Sequence, residues 1–281
     1  MNFDHLLILV IVFKVRTFTI LLFFIVKKNQ VLNTIASNIT TSSWILAFLA
    51  AFILGISKSG IKGIVIIIVT LMALAFGTKE STGLIVPLLI VGDIFAVIYY
   101  NRHAQWSYII RFLPWVVFGV LIGVLIGKDL NEETFKYSMS FIILGSVMMM
   151  YWWDQRKSKS VPTHWAFAGS IGIMAGITAM IGNLAGAFSN IFFLAMRLPK
   201  NEFIGTAAWL FFIVNVFKLP FHIFVWHTIT PETLVINLKL VPAILVGLFV
   251  GVRLVKVIKD TFYRKMILVL TALGSLLILL R

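Results

Sequence analysis

The chain has no cysteine and few charged residues for its length. Of its 281 residues, 12% are charged and 60% are hydrophobic. The lack of cysteine excludes disulfides, thiolate nucleophiles and cysteine-ligated metals. The shortage of charge excludes a soluble globular domain, because such a domain needs many more charged residues to cover its surface. The sequence therefore predicts an integral membrane protein.

Acidic residues are scarcer than basic ones. The chain has 10 Asp and Glu residues against 24 Lys and Arg residues, which gives a formal net charge of +14. In membrane proteins, Lys and Arg collect in loops, where they set the topology and meet anionic lipid. This explanation is much stronger than nucleic-acid binding. We therefore expect the lipid bilayer as a partner and no nucleic acid.

The five histidines form no recognisable catalytic motif. The chain has no HExxH sequence and no evident Ser/His/Asp grouping. A membrane-embedded enzyme is therefore the weaker alternative, and the sequence predicts neither a cofactor nor a metal site.

Long apolar stretches indicate an all-α polytopic fold, since a membrane-spanning helix needs about 20 mainly apolar residues. A first stretch, Leu6–Val26, is interrupted by Lys14 and Arg16 and is a poor signal peptide. Ten helical segments are predicted after it: Trp44–Ile56, Ile61–Phe76, Thr82–Tyr100, Tyr108–Gly127, Thr134–Trp153, His164–Ile181, Leu184–Met196, Phe203–Trp226, Thr233–Val252 and Thr261–Leu280.

The segments divide into two similar halves. A polar linker, 154–163, separates a first repeat at 44–153 from a second at 164–281, and 1–43 is an extension that could add one helix. Several features occur in the same order in both halves. Leu113–Pro114 is followed by Gly119 and Gly123 in the first half, as Val241–Pro242 is followed by Gly247 and Gly251 in the second. Gly55 corresponds in the same way to Gly176, and Lys79 corresponds to Lys200. The paired glycines are small-xxx-small patterns that allow close helix packing.

Each repeat has five segments, which is an odd number, so the two repeats are predicted to have inverted orientations in the membrane. Alternate loops differ in their content of Lys and Arg, and the richer side includes the 154–163 linker. The positive-inside rule places that side in the cytoplasm. The sequence thus predicts a multi-pass protein of the cell inner membrane, which could form a homo-oligomer.

A glycine-rich break separates two short helices at the start of each repeat. Matched, glycine-interrupted segments are the best sequence indicator of a transporter's binding site. Glycine lets the backbone approach a ligand, and the helix after each break offers unpaired N–H groups to an anion. The candidate substrate-binding residues are Ser57, Lys58, Ser59, Gly60, Lys62, Thr178, Gly182, Asn183, Gly186 and Asn190. The alternatives are lysines that snorkel to the interface and small polar residues that cap helices.

Asp93 is an acidic residue inside a long apolar span, and Asn215 is its counterpart in the second repeat. Burial favours the neutral form of a carboxyl, so Asp93 is a candidate for proton coupling. The alternative is a structural carboxylate that is hydrogen-bonded between helices. Lys218 and His222 share one helix face, with a kink expected at Pro220, and together with Asn215 they are candidates for the transport pathway.

These motifs resemble those of the TauE/SafE sulfite exporter family. The resemblance covers roughly Trp44 to Leu280, and the first forty or so residues show no counterpart. The closest agreement is in the second half, at Gly182-Asn183-Leu-Ala-Gly186 and at Met196-Arg-Leu-Pro199-Lys200-Asn-Glu202-Phe-Ile-Gly205-Thr206.

The resemblance implies a two-repeat permease of the inner membrane that carries sulfite, sulfonates or related small organosulfur anions. We therefore predict a secondary transporter of a small anion, working by alternating access, for which proton coupling is an option. The first break departs from the family's run of glycines by carrying Ser57, Lys58, Ser59 and Lys62, which leaves the choice of anion open. A passive anion channel is the main alternative.

Overall fold

The computed structural model describes residues 39–61, 64–131 and 165–258, isolated positions between 133 and 148, and Phe262. Within these ranges the chain is helical and has no strand, which confirms the all-α prediction. The eight helices that are described without interruption are α1 (Thr41–Lys58), α2 (Val65–Phe76), α3 (Thr78–Tyr100), α4 (Trp106–Gly127), α5 (Trp165–Gly182), α6 (Ala185–Ala195), α7 (Lys200–Phe224) and α8 (Pro231–Val257). A 3₁₀ turn at Asn101–His103 lies between α3 and α4.

Six of these helices are long and apolar enough to cross a membrane, namely α1, α3, α4, α5, α7 and α8. The other two, α2 and α6, have 12 and 11 residues and follow the two glycine-rich breaks. The protein is therefore a multi-pass membrane protein. The predicted segment 134–153 is described only at isolated helical positions, while the predicted helix near the N-terminus, the 154–163 linker and nearly all of 261–280 lie outside the described residues.

Local sequence signals set where the helices begin and end. The Thr40 hydroxyl caps α1, and Thr230 caps α8 with Pro231 in the first helical turn. After α1 the chain enters the first break through Gly60, whose φ is 129°. After α5 it enters the second break through Asn183, whose φ is 57°. Glycine and asparagine are the residues that adopt such left-handed backbone with least strain.

The most extensive helix–helix interfaces join α1 to α8 and α4 to α5. At these interfaces, a Cβ added to any of four glycines would collide with a main-chain carbonyl oxygen of the facing helix. The pairs are Gly55 with Ile244, Gly247 with Phe52, Gly176 with Val116, and Gly119 with Ile173. The helices therefore approach to backbone contact, as the small-xxx-small patterns predicted. In both interfaces, one helix comes from each half of the chain.

Lys79 and Lys200 each hydrogen-bond to the main chain just after the end of another helix. The Lys79 ammonium donates to the carbonyl oxygens of Lys128 and Leu130, at 3.2 and 3.0 Å, just after α4 ends. The Lys200 ammonium donates to the carbonyl oxygen of Ile258 at 2.6 Å, just after α8 ends. Each lysine stands at the start of the third described helix of its half.

Candidate anion site

Three charged side chains are buried in the described interior: Lys58, Asp93 and Lys218, with exposed fractions of 5%, 1% and 1%. Lys58 ends α1, while Asp93 and Lys218 lie within α3 and α7. Most of the neutral candidates from the sequence are buried as well, namely Ser57, Ser59, Thr178, Asn183, Asn190, Asn215 and His222. The two breaks and the two long helices that follow them therefore contribute polar groups to the interior.

Lys58 and Asp93 form a buried ion pair. The Lys58 ammonium lies 2.6 Å from Asp93 Oδ1, and the Asn215 side chain donates to Asp93 Oδ2 at 2.6 Å. The stem of Lys58 passes against Gly92, and its ammonium is 5.5 Å from the ring centroid of Phe211. The snorkelling alternative for Lys58 is therefore wrong, because this side chain turns inward to a carboxylate. The ion pair and the amide join α1, α3 and α7.

Lys218 has a different environment, made of neutral oxygens. Its ammonium donates to the carbonyl oxygen of Ala179 at 2.9 Å and to Asn183 Oδ1 at 2.7 Å. The Asn183 amide nitrogen in turn donates to the carbonyl oxygen of Thr82 at 2.9 Å. Lys218 thus reaches the end of α5, at the point where the second break begins.

The two lysine environments belong to one cluster. Asn215 and Lys218 are three residues apart on α7, a spacing that places both on one helix face. Asn215 binds Asp93, and Lys218 interacts electrostatically with both Lys58 and Asp93. The described interior therefore contains two ammonium groups and one carboxylate within mutual electrostatic range.

Helix α6 begins at Ala185, two residues after the Asn183 that binds Lys218. The first amides of a helix have no acceptor within it, and they form the positive end of its dipole. No side chain caps this helix start. A Cβ added at Gly186 would fit without a clash, in ordinary contact with the Phe211 ring at 3.9 Å. The start of α6 is therefore suited to an anion, which its first N–H groups and the Lys218 ammonium would both attract.

Farther along α6, Ser189 Oγ and Asn190 Oδ1 are buried without a hydrogen-bond partner. Buried polar atoms usually have a partner, in the protein or in ordered water. These two atoms therefore mark α6 as a place where a solute or water could be bound.

Other break residues have more local roles. The Ser59 hydroxyl donates to the carbonyl oxygen of Ile56 at 2.7 Å, and the Thr178 hydroxyl donates to that of Ala175 at 3.0 Å. In this conformation neither hydroxyl proton is directed to an anion. The remaining predicted positions are Ser57, buried in the last turn of α1; Gly60, in the break itself; Gly182, the last residue of α5; and Lys62, which lies outside the described residues.

His222 follows Lys218 by four residues, and Pro220 lies between them inside α7. His222 Nδ1 is 2.9 Å from the Thr228 hydroxyl, and the ring packs edge-on against Trp226 with centroids 5.2 Å apart. His222 Nε2 is buried and has no hydrogen-bond partner. The structure therefore places His222 beside the cluster, with one polar atom available.

Sequence reasoning missed three groups in or near this interior. Phe211 lies under the Lys58 ammonium, and the carbonyl oxygen of Thr82 holds Asn183. Asn237 on α8 is buried with neither amide atom partnered. Two signals were present in the sequence: Phe211 precedes Asn215 by one helical turn, and Asn237 is an amide within an apolar span.

Comparison with known proteins identifies the family. No curated protein and no solved structure matches the chain. The family model described as sulfite exporter TauE/SafE matches residues 9–278, nearly the whole chain. The match begins well before Trp44, so the prediction that the first forty residues have no counterpart is wrong. The chain therefore belongs to the TauE/SafE sulfite exporter family, a membership that implies a membrane transporter of sulfur anions.

Proposed function

We propose that the protein is a secondary transporter of a small anion such as sulfite, a sulfonate or a related organosulfur anion. The observation that carries this proposal is the Lys218 ammonium, 1% exposed, whose two hydrogen-bond partners are neutral oxygens. A buried charge without an opposite charge is costly by several kcal/mol. An anion bound here would offset that cost, and the nearby start of α6 would add attraction.

Alternating access needs two units that can exchange positions around the site, and an inverted pair of repeats would supply them. The glycine contacts support this arrangement, because α1 packs on α8 in the same way as α5 packs on α4. The bond between Asp93 and Asn215 supports it further. These residues occupy matching positions in the two halves, and matching positions meet where a symmetry axis passes between repeats.

We propose Asp93 as the proton-coupling group. As a carboxylate, Asp93 holds the Lys58 ammonium at 2.6 Å. Protonation would remove the charge that holds Lys58 and would release the ammonium for a substrate. The competing interpretation is that the ion pair only fastens α1 to α3. If transport by Asp93→Asn keeps the proton dependence of the wild type, the coupling role is refuted.

The orientation proposed for the protein, in the inner membrane with the 154–163 linker in the cytoplasm, has a direct test. Because the chain has no cysteine, one cysteine placed at Ser158 would be the only thiol. In intact cells a membrane-impermeant maleimide should leave it unlabelled, and permeabilised cells should show labelling. Labelling of intact cells would reverse the proposed orientation.

Transport itself is tested with purified protein in proteoliposomes. Uptake of sulfite, sulfoacetate, taurine and unrelated anions is measured with and without a proton gradient. We expect saturable uptake of at least one sulfur anion, which empty liposomes do not show. If no anion moves under any gradient, the transport proposal fails. Flux without saturation would favour the channel alternative.

A further inference from the structure

We infer that each transport event moves one net negative charge through the buried cluster. A monoanion then enters alone, and a dianion enters only with a proton on Asp93. This inference rests on the proposed transport function and specifies the charge of its substrate. The evidence is the charge content of the described interior. With Lys58 and Lys218 protonated and Asp93 ionised, the cluster has one positive charge that no buried carboxylate compensates.

The neighbouring groups do not change this count. Tyr100 donates its hydroxyl proton to the carbonyl oxygen of Ser59 and is neutral. His222 is fully buried and interacts electrostatically with Lys218, so a second positive charge there would be repelled. Asn183 and Asn215 are neutral amides that orient the charged groups. The capacity of the cluster is therefore set by Lys58, Lys218 and Asp93.

Charge balance matters here because the cluster is buried. Electrostatic interactions in such an interior are much stronger than in water, and an uncompensated charge is expensive. A monoanion next to Lys218 would neutralise the cluster while the Lys58–Asp93 ion pair stays intact. A dianion would leave one negative charge in excess.

Protonation of Asp93 removes that excess. The proton neutralises the carboxylate, and the released Lys58 ammonium can then compensate the second charge of a dianion. Among the residues that the structure describes, three charged side chains form this balance together with the added proton and the anion. The proposed proton coupling therefore operates with dianions and not with monoanions.

Methanesulfonate and sulfate form a suitable pair of probes, because both are small and tetrahedral at sulfur but carry one and two negative charges near neutral pH. Their uptake into proteoliposomes is followed together with a pH-sensitive dye in the lumen. We expect a preference for methanesulfonate of about tenfold or more, given the cost of an unbalanced buried charge. Methanesulfonate should move no proton, and each sulfate should move one.

Asp93→Asn tests the assignment, since asparagine imitates the protonated carboxyl. This variant should carry sulfate without a proton, and its preference should shift towards sulfate by about tenfold or more. The wild-type measurement needs no variant, so the inference remains open to refutation even if Asp93→Asn does not fold.

Several results would overturn the inference while leaving transport intact. One is wild-type sulfate uptake that equals methanesulfonate uptake and moves no proton. Others are an unchanged charge preference in Asp93→Asn, and uptake of sulfite with no recognition of either probe. Failure of every anion, sulfite included, would instead refute the proposed function.

Discussion

The two glycine-rich breaks share their packing but differ in charge. At the first, α1 packs closely on α8 at Gly55, and Lys58 is neutralised by Asp93. At the second, α5 packs closely on α4 at Gly176, and Lys218 is held by neutral oxygens. The two breaks are therefore packed in the same way, but the lysine at the first has a carboxylate partner and the lysine at the second has none as a direct partner.

Leucine at either packing glycine tests the shared part of this comparison. Gly55→Leu and Gly176→Leu should each abolish the folded protein, because the added side chain meets main-chain atoms of the facing helix. The backbone can yield little, so we expect a cost of about 3 kcal/mol at both positions. The measurement is the monodisperse fraction and thermal stability of each variant in detergent.

Gly145→Leu is the matched control, since a Cβ at Gly145 would meet nothing within 4 Å. It should leave both measurements close to those of the wild type. A folded Gly55→Leu or Gly176→Leu variant of normal stability would show that the helix contact is not required.

The ion pair at the first break is tested by removing its partners singly and together. Lys58→Gln should destabilise the protein by about 3 kcal/mol, because it leaves the Asp93 carboxylate buried without a cation. The double variant Lys58→Gln with Asp93→Asn should recover most of this stability. Denaturation of all three variants in detergent measures the coupling. Full recovery of transport in the double variant would reduce the pair to a structural role.

At the second break, Lys218→Gln should lower anion uptake about 100-fold, as expected when one partner of a buried charge interaction is lost. Its stability should not fall as it does in Lys58→Gln, because Lys218 has no buried carboxylate as a direct partner. Initial uptake rates at low substrate concentration provide the test. Lys239→Gln, at an exposed lysine on α8, is the control. Normal uptake by Lys218→Gln would remove the main support for the anion site.

The smallest effects are expected at Lys79 and Lys200. Lys79→Met and Lys200→Met should each cost about 1.5 kcal/mol, since each removes hydrogen bonds from an ammonium to main-chain carbonyls. Thermal unfolding should show similar losses for the two variants. Clearly unequal losses would mean that the two halves do not use these lysines equivalently.

Helix positions and matched motifs were largely predictable from the sequence, because hydropathy and glycine spacing are local properties. The alignment of the halves also predicted that Asp93 and Asn215 are counterparts. It could not show that these two residues touch, since this depends on how α3 and α7 pack across the structure.

The environments of the lysines were less predictable. Whether Lys58 snorkels or turns inward depends on the depth of the end of α1, which hydropathy locates only within a few residues. Lys218 meets Asn183 and the carbonyl oxygen of Ala179 through the packing of α7 on the end of α5. Neither contact leaves a local sequence pattern.

The glycine contacts have a consequence for movement. Helix α1 is in backbone contact with α8, and α4 is in backbone contact with α5. Each of these tight pairs contains one helix from each half of the chain. Sliding one half past the other would disrupt both interfaces, and close-packed surfaces resist such gradual deformation. We therefore expect α1 to move together with α8, and α4 together with α5, as composite pairs when the two inverted repeats exchange conformations.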